Sequence, residues 1–192
     1  MTHNQNHRPF RTAAVLGAGT MGAQIAAHLA NAGLSVLLLD IPAKEGDKDG
    51  VVKEAFKRIQ KIKPDPFFTA NVAQRIQLGN FDDDLTKLKD VDWVIEAVVE
   101  KMDIKRGLME KVEAATQART VVSTNTSGLP IHEIAEGRSE AFKKRFLGTH
   151  FFNPPRYMKL LEIIPHSKSD KQLVADLSLD KHMLQEVIRK KL

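Results

Sequence analysis

Two apolar runs flank a segment of helical periodicity near the start of the chain. The runs cover residues 12–16 and 35–39, and neither alternates between apolar and polar positions, which is typical of strands covered on both faces of a parallel sheet. The segment between them places four apolar side chains on one predicted helix face: Met21, Ile25, Ala26 and Leu29. The pattern therefore predicts a strand–helix–strand unit of about thirty residues.

Strand and helix patterns continue to alternate along the rest of the chain. An amphipathic helix is predicted over 51–63, a short helix over 72–75 and a longer helix over 102–115. Apolar runs predict further strands at 76–78, 93–99, 120–123, 146–152 and 160–164. This order indicates an α/β fold, a doubly wound and mostly parallel sheet of the Rossmann type, with a helical arm inserted after the second strand.

Three consecutive aspartates, Asp82 to Asp84, precede a short apolar segment. We interpret them as capping residues of a short helix, because carboxylates are favoured at helix starts. A metal site is the alternative interpretation, but no second carboxylate cluster and no histidine lies nearby in sequence. We therefore predict no metal.

The chain divides into three parts on these patterns. Residues 1–11 are polar and are expected to form a flexible tail, whereas residues 12–165 form the sheet domain, with the helical arm at 44–75. Residues 166–192 form a C-terminal segment that we expect to be helical, since it is charged and amphipathic from Ser178 onward.

The composition fits one domain with a hydrophobic core, since 42% of the 192 residues are hydrophobic. The net charge of +5 comes from scattered lysines and arginines without an aromatic–basic module, so we predict no nucleic-acid partner. There is no cysteine, which excludes disulfides and thiolate chemistry and fits a reducing compartment. Neither an apolar signal region nor a run of the ~18 apolar residues of a membrane helix is present, so we expect a cytoplasmic protein without a membrane span.

A G-x-G-x-x-G motif, residues 17–22, joins the first predicted strand to the first predicted helix. The motif alone is weak, but this context, with an acid at the end of the next strand, is that of a dinucleotide-binding turn. Gly17 permits the tight turn, Gly19 lets a pyrophosphate approach the backbone, and Gly22 lets the helix pack on the strand. The helix start, at Thr20 and Met21, offers N–H groups to phosphates.

Asp40, the acid at the end of the second strand, decides between the two common dinucleotides. Its carboxylate can accept hydrogen bonds from both hydroxyls of the adenosine ribose, and it would repel the additional phosphate of NADP. NAD is therefore the predicted cofactor. A strand–helix turn without any ligand is the alternative interpretation of the same residues.

Three strings in the second half of the chain are more specific than the glycine motif. They are NTSGLPI at 125–131, GTHFFNPP at 148–155 and MKLLEII at 158–164. Together with GAGTMG at 17–22 and VVE at 98–100, they resemble the L-3-hydroxyacyl-CoA dehydrogenases of fatty-acid β-oxidation over residues 11–165. The string IPAKEG at 41–46 is most similar to the large bacterial multifunctional β-oxidation enzymes.

The resemblance implies three catalytic residues: His150 as the general base, Glu162 as the carboxylate that orients it, and Ser127 as a contact to substrate and cofactor. Histidine is suited to proton transfer at neutral pH, and a carboxylate on its other ring nitrogen fixes the tautomer. We expect adjacent strands to bring His150 and Glu162 together. The cofactor contacts implied by the glycine motif and the resemblance are Gly17, Gly19, Thr20, Met21, Gly22, Asp40, Val99, Glu100, Lys105, Ser127 and Asn153.

The same residues also have structural interpretations. Residues 125–127 could be turn and cap residues before a helix that starts at Pro130, His150 could be a hydrogen-bonded core histidine, and Glu162 could be an edge residue. Their occurrence in register favours the functional interpretation. The lysines Lys53, Lys57 and Lys61 share one helix face, which is either solvated or close to the phosphates of CoA.

After Pro165 the resemblance fades. Family members continue into a helical domain that supplies an asparagine to the active site, covers the substrate and forms the dimer, and we find none of its motifs in this chain. The resemblance thus implies the NAD-binding part of an enzyme that converts L-3-hydroxyacyl-CoA to 3-ketoacyl-CoA, with acyl-CoA as substrate, a homodimeric parent protein and little activity in this fragment. The alternatives are a dinucleotide-binding module without turnover and a related short-chain hydroxyacid dehydrogenase.

Overall fold

A computed structural model describes residues 10–158 and 160–178, and these contain one seven-stranded sheet. Parts of the predicted tail and of the predicted C-terminal segment, residues 1–9 and 179–192, lie outside the described residues. The strands are β1 (Thr12–Leu16), β2 (Ser35–Asp40), β3 (Ile76–Asn80), β4 (Trp93–Glu96), β5 (Val121–Thr124), β6 (Phe146–Phe151) and β7 (Leu161–Pro165).

Helices connect most of these strands. The α-helices are α1 (Thr20–Asn31), α2 (Gly50–Ile59), α3 (Phe81–Asp84), α4 (Met102–Ala115), α5 (Ile131–Ile134), α6 (Glu140–Lys144) and α7 (Pro155–Met158). Two 3-10 helices cover Ala70–Arg75 and Leu85–Asp90, and residues 171–178 are helical. Within the part of the chain that the structure describes, no helix combines the length and apolarity needed to cross a membrane.

The strand order in the sheet is β3-β2-β1-β4-β5-β6-β7. The first six of these strands run parallel, and β7 runs antiparallel to β6. The prediction of a doubly wound, mostly parallel sheet is therefore confirmed. The chain leaves β1 toward β2 on one side and returns to β4 on the other, and ligands of open α/β sheets bind at the carboxyl ends of the strands beside such a reversal.

Two hydrophobic clusters cover the two faces of the sheet. Val15 and Leu38 belong to the cluster on the α1 face, whereas their neighbours Leu16 and Leu39 belong to the cluster that contains Met109 of α4. Successive strand residues point to opposite faces. Because both faces are covered, β1 and β2 need apolar residues at every interior position, which explains their unbroken apolar runs.

The helix α1 is buried around almost its whole circumference. Every residue from Gly22 to Asn31 is buried, although the sequence predicted only one apolar face. The difference arises because α2, the 3-10 helix Ala70–Arg75 and α7 all contact α1. The loop after α2 is held in turn by Arg156 of α7, which donates to the carbonyl oxygen of Phe67 at 2.7 Å. Three polar residues of α1 are thereby shielded from water: Gln24, His28 and Asn31.

The predicted strand at 93–99 is shorter in the structure. The strand β4 ends at Glu96, and the backbone N–H of Val98 donates to Oε1 of Glu96 at 2.7 Å. This bond replaces a ladder bond, so the chain turns away from the sheet before Glu100. The predicted helix at 51–63 is also shorter, since α2 covers only Gly50–Ile59 and ends before Pro64.

The three aspartates do not cap α3. Asn80 caps it, since the side chain of Asn80 accepts hydrogen bonds from the backbone N–H groups of Asp82 and Asp83. The aspartates form the first turn of α3 instead, where carboxylates interact favourably with the exposed N–H groups of the helix. The helix that the sequence predicted after the aspartates is the 3-10 helix Leu85–Asp90; Asp84 is its N-cap residue by position, but the predicted side-chain capping bond is absent there.

Candidate active site

Two glycines close the turn between β1 and α1. Gly17 has a φ of +100°, which L side chains rarely adopt, and a Cβ there would lie 2.7 Å from the carbonyl oxygen of Ala97. A Cβ at Gly22 would lie 1.8 Å from the carbonyl oxygen of Gly17. Both positions exclude a side chain, so the first turn of α1 packs directly on the end of β1.

Gly19 differs from these two glycines, because a Cβ there would have no atom within 4 Å. It is the N-cap of α1 and has no side chain that could cap the helix. The first N–H groups of a helix lack partners within the helix, so those at Thr20 and Met21 are available to an anion. The open space at Gly19 and the uncapped helix start together fit the diphosphate of a dinucleotide.

Asp40 ends β2 next to this turn. One of its carboxylate oxygens accepts a hydrogen bond from the backbone N–H of Ala18 at 2.7 Å, and the other accepts one from Ile41 at 2.7 Å. A carboxylate has about four acceptor positions. Asp40 can therefore accept bonds from ribose hydroxyls while the backbone holds it in place.

A cleft of about 510 Å³ opens beside Asp40. Apolar side chains form much of its wall, and three of them are prominently exposed, Ile41 and Val99 at 59% each and Ile104 at 47%. Apolar walls with a few polar groups are typical of small-molecule sites. Four of the predicted cofactor contacts line this cleft: Gly17, Gly19, Asp40 and Val99.

Glu100 organises the loop that follows β5. Its Oε1 accepts hydrogen bonds from the hydroxyl of Thr126, from the backbone N–H of Ser127 at 3.1 Å and from that of Gly128 at 3.3 Å. Partial burial opposes ionisation of Glu100, but the Thr126 hydroxyl and the Lys105 ammonium outweigh it and hold the pKa of Glu100 below its ordinary value. The carboxylate is thus kept ionised beside Ser127.

Lys105 is fully buried beneath Glu100. Its ammonium lies 2.7 Å from Oε1 of Glu96 and 3.2 Å from Oε2 of Glu100. The other oxygen of Glu96 accepts a hydrogen bond from the hydroxyl of Thr124 at 2.6 Å. The sequence predicted that Lys105 lines the cofactor site, whereas its position indicates that it holds Glu100, which is partly exposed.

His150 and Glu162 are directly opposite each other in the antiparallel pair β6–β7. Nδ1 of His150 lies 2.9 Å from Oε2 of Glu162. Opposite residues of such a pair have side chains on the same face, which explains how residues twelve positions apart meet. The side chain of His150 is 22% exposed and that of Glu162 51% exposed, so the pair is open to a ligand and is not part of the core.

Ser127 completes this group. Its Oγ lies 3.4 Å from Nε2, the ring nitrogen of His150 that faces away from Glu162. Thr126, the residue before it, has the structural role of a turn residue, because its hydroxyl accepts a hydrogen bond from the backbone N–H of Leu129. Ser127 itself does not cap α5, whose N-cap is Pro130 without a side-chain bond. In residues 10–158 and 160–178, no three carboxylates and histidines group as a metal site would require.

Asn153 connects the segment after β6 to the helix that begins at the dinucleotide turn. It follows β6, and its Oδ1 accepts a hydrogen bond from Nε2 of Gln24 at 3.2 Å. Gln24 lies in α1, whose first turn contains Thr20 and Met21. The segment that follows His150 is therefore hydrogen-bonded to α1 at the carboxyl edge of the sheet.

Three residues of this site were not singled out in the sequence: Gln24, Glu96 and Thr126. For Glu96 a signal was present, because a carboxylate at the end of an apolar strand is costly unless it has a partner. Gln24 gave no signal, since a polar residue on an amphipathic helix is ordinarily exposed. Its burial depends on α7 and on the arm, which pack against α1.

The chain is similar in sequence to known proteins. It matches the family model described as 3-hydroxyacyl-CoA dehydrogenase, NAD binding domain, over residues 12–190, a range that extends beyond Pro165. It is 54% identical over 171 residues to a probable 3-hydroxyacyl-CoA dehydrogenase of Deinococcus radiodurans, which covers 88% of this chain and 49% of that protein. It is 43% identical over 151 residues to a putative fatty acid oxidation complex trifunctional enzyme of Rickettsia felis, covering 78% of this chain and 21% of that protein.

The fold is also found in solved structures. The crystal structure of 3-hydroxybutyryl-CoA dehydrogenase from Escherichia coli K12 is similar with a TM-score of 0.77 and 29% sequence identity, over 92% of this chain and 37% of that chain. The chain spans half or less of the length of these relatives. The family description names NAD, the cofactor predicted from Asp40. The chain therefore belongs to the 3-hydroxyacyl-CoA dehydrogenase family and corresponds to its NAD-binding domain.

Proposed function

We propose that this chain binds NAD and supplies the acid–base pair of a dehydrogenase that oxidises the 3-hydroxyl of L-3-hydroxyacyl-CoA to a ketone. The observation that carries the proposal is the contact of His150 with Glu162 at 2.9 Å, with Ser127 3.4 Å from the opposite ring nitrogen. Asn153, three residues after His150, is hydrogen-bonded to Gln24 of α1, the helix that begins at the dinucleotide turn.

The hydroxyl proton of the substrate passes to Nε2 of His150. An ionised Glu162 can only accept a hydrogen bond, so Nδ1 carries the hydrogen of the neutral ring and Nε2 keeps its lone pair. When Nε2 takes the proton, the ring becomes positive, and Glu162 stabilises it. A substrate hydroxyl placed between Nε2 and Oγ of Ser127 is oriented by both groups.

The chain holds the cofactor at several positions. The turn at Gly19 and the start of α1 would hold the diphosphate, and Asp40 would bind the hydroxyls of the adenosine ribose. The apolar cleft beside Val99 would hold the adenine, and Glu100 would contact the nicotinamide ribose. NAD bound in this way supplies the acceptor for the hydride that leaves the carbon bearing the hydroxyl.

The substrate class is proposed from the relatives. The Rickettsia felis relative is named a fatty acid oxidation complex enzyme, which supports a role in fatty-acid β-oxidation. The Escherichia coli structure is named a 3-hydroxybutyryl-CoA dehydrogenase, which supports a 3-hydroxyacyl-CoA thioester as the substrate. A homodimeric parent protein with a helical domain, and a cytoplasmic location, stay predictions from the sequence.

Two measurements on the 192-residue chain and on the full-length product of its gene test the proposal. Fluorescence titration should detect NADH binding to both proteins. Reduction of acetoacetyl-CoA by NADH should be fast in the full-length protein and much slower in the chain alone, because the helical domain of family members covers the substrate. Full turnover by the chain alone would contradict the expected need for that domain.

The same assay separates the alternatives. A dinucleotide-binding module without turnover would bind NADH, and even its full-length form would leave acetoacetyl-CoA unchanged. A short-chain hydroxyacid dehydrogenase would reduce free acetoacetate as well as the CoA thioester. A marked preference for the thioester is the result expected from our proposal.

A further inference from the structure

Gln24 is a buried polar residue that the proposed chemistry does not use. It lies in the second turn of α1 and is 6% exposed. Its Nε2 donates to two oxygen atoms, the backbone carbonyl of Thr20 at 3.0 Å and Oδ1 of Asn153 at 3.2 Å. The buried amide of Gln24 therefore bridges α1 and Asn153, a predicted cofactor contact.

The carbonyl of Thr20 determines which way round the Gln24 amide lies. A backbone carbonyl oxygen can only accept a hydrogen bond, so the NH₂ group of Gln24 has to face it. The second hydrogen of the same NH₂ group then points to Asn153. The atom of Asn153 that meets this hydrogen has to be an acceptor, which is Oδ1 and not Nδ2.

Because Oδ1 of Asn153 accepts from Gln24, the NH₂ group of Asn153 can donate to another partner. Asn153 is exposed, and its side-chain hydrogen bond among residues 10–158 and 160–178 is the one at Oδ1, so Nδ2 donates to none of them. Asn153 follows His150 by three positions, at the end of β6. A nicotinamide ring that reacts beside His150 carries a carboxamide with one acceptor, its carbonyl oxygen, and one donor group, its NH₂.

We propose that Gln24 is a positioning residue that fixes the donor direction of Asn153 and thereby the orientation of the nicotinamide carboxamide. The carbonyl oxygen of the carboxamide faces Nδ2 of Asn153, and its NH₂ group points elsewhere. This inference rests on the proposed binding of NAD. It adds that the buried carbonyl of Thr20, acting through Gln24, determines whether Asn153 donates to the nicotinamide carboxamide or accepts from it.

The test uses the 192-residue chain and the Gln24→Glu variant, which has nearly the same shape but two acceptors in place of the NH₂ group. A carboxylate at this position attracts Nδ2 of Asn153, so the amide turns and presents Oδ1 to the cofactor. The ligands are NADH, ADP-ribose and reduced 3-acetylpyridine adenine dinucleotide, which keeps the carbonyl group of the carboxamide but lacks its NH₂ donor. Affinities are measured by calorimetric titration.

The unsubstituted chain should bind NADH and the acetylpyridine analogue with similar affinity, because Nδ2 needs only the carbonyl. In Gln24→Glu the analogue should bind about tenfold more weakly than NADH, the effect of one unmade hydrogen bond. ADP-ribose lacks the nicotinamide, so any moderate change in its affinity measures the effect of the new carboxylate on the diphosphate site, and the ratio of the NADH and analogue affinities tests the inference. Gln77→Glu, the same substitution at an exposed position of β3, should behave like the unsubstituted chain.

Three results would overturn the inference. The first is strong discrimination against the analogue by the unsubstituted chain, which would mean that Asn153 accepts from the carboxamide. The second is equal affinity of Gln24→Glu for NADH and the analogue. The third is a loss of ADP-ribose binding in Gln24→Glu, which would indicate a general structural role. Failure of the unsubstituted chain to bind either NADH or ADP-ribose would instead refute the proposed function, and the inference with it.

Discussion

The carboxylate of Asp40 accepts a hydrogen bond from the backbone N–H of Ala18 at 2.7 Å, across 22 residues of sequence. The bond joins the end of β2 to the middle of the glycine turn. Asp40 thus has two tasks in the proposed function, to hold the turn in shape and to bind the adenosine ribose. A substitution at this position affects both.

We expect Asp40→Ala to weaken NADH binding at least about tenfold, since hydrogen bonds to a charged group contribute about 1.5–3 kcal/mol. Asp40→Ser and Asp40→Arg should shift the preference toward NADPH, because they remove the charge that repels its additional phosphate. Fluorescence titration with both cofactors measures the shift. Asp82→Ala, which removes an exposed carboxylate of α3, is the control and should leave both affinities unchanged.

The second prediction concerns the acid–base pair in the full-length protein. His150→Gln should lower the turnover rate at least about 100-fold, the lower end for general acid–base catalysis. Glu162→Gln should lower it less, because a neutral amide still orients the ring but stabilises the imidazolium poorly. NADH affinity should be retained in both variants. Near-normal turnover in His150→Gln would return His150 to a purely structural role.

The third prediction concerns the buried pair of Glu96 and Lys105. Lys105→Met should lower the free energy of unfolding by about 3–5 kcal/mol, because Glu96 is left buried without its charged partner. The double variant Glu96→Gln/Lys105→Met should be more stable than Lys105→Met alone. Urea unfolding of the three proteins measures the difference.

Lys111→Met is the matched control for this series. Lys111 lies on the same helix, α4, but is exposed. Its substitution should change stability by less than about 0.5 kcal/mol. A similar loss of stability in the two single lysine variants would show that the ion pair with Glu96 contributes nothing specific.

The fourth prediction follows from His28, a buried histidine of α1. Burial lowers the pKa of His28 from 6.5 to about 4, and its Nδ1 has no hydrogen-bond partner among the described residues. The unfolded chain therefore binds a proton at His28 at a higher pH than the folded chain does. Stability from this residue is complete above about pH 6.5 and is lost progressively as the pH falls toward 4.

Substitution of His28 by leucine should remove this loss. Between pH 7.5 and pH 5, the unfolding free energy of the unsubstituted chain should fall by about 2 kcal/mol more than that of His28→Leu, at 1.36 kcal/mol per pH unit below 6.5. Urea unfolding at the two pH values measures it. Ile25→Val, a mild core substitution on the same helix, should keep the pH dependence of the unsubstituted chain, and equal pH dependence in His28→Leu would contradict the assignment.

Local patterns in the sequence were sufficient for the sheet and for the dinucleotide turn. The apolar runs of β1 and β2, with glycines between them, depend on contacts within thirty residues or so, the size of one strand–helix–strand unit. The proximity of His150 and Glu162 followed from the resemblance and from the expectation that consecutive strands pair. The structure agrees with that expectation, since β6 and β7 are neighbours in the sheet.

Contacts between distant parts of the chain could not be predicted from the sequence. Gln24 and Asn153 are 129 residues apart, and no local pattern relates them. Lys105 was placed at the cofactor by resemblance, and its burial depends on the carboxylate of Glu96 at the end of another element. Gln24 is buried because α7 and the arm pack on α1, and Lys105 is buried with Glu96 and Glu100 as its partners. Neither arrangement produces a periodic pattern in the residue's own neighbourhood.

The direct pairing of His150 with Glu162 also restricts how this sequence can change in length. Side chains alternate between the faces of a sheet, so one residue inserted in β7 ahead of Glu162 would carry its carboxylate to the opposite face. Two inserted residues would restore the face but displace the carboxylate by about 7 Å along the strand. Residues added in the connection between the two strands do not change which face Glu162 points to. Insertions and deletions in relatives, and tags or loops added by design, are therefore expected outside β6 and β7 and, within their connection, only after α7, while each strand keeps its number of residues.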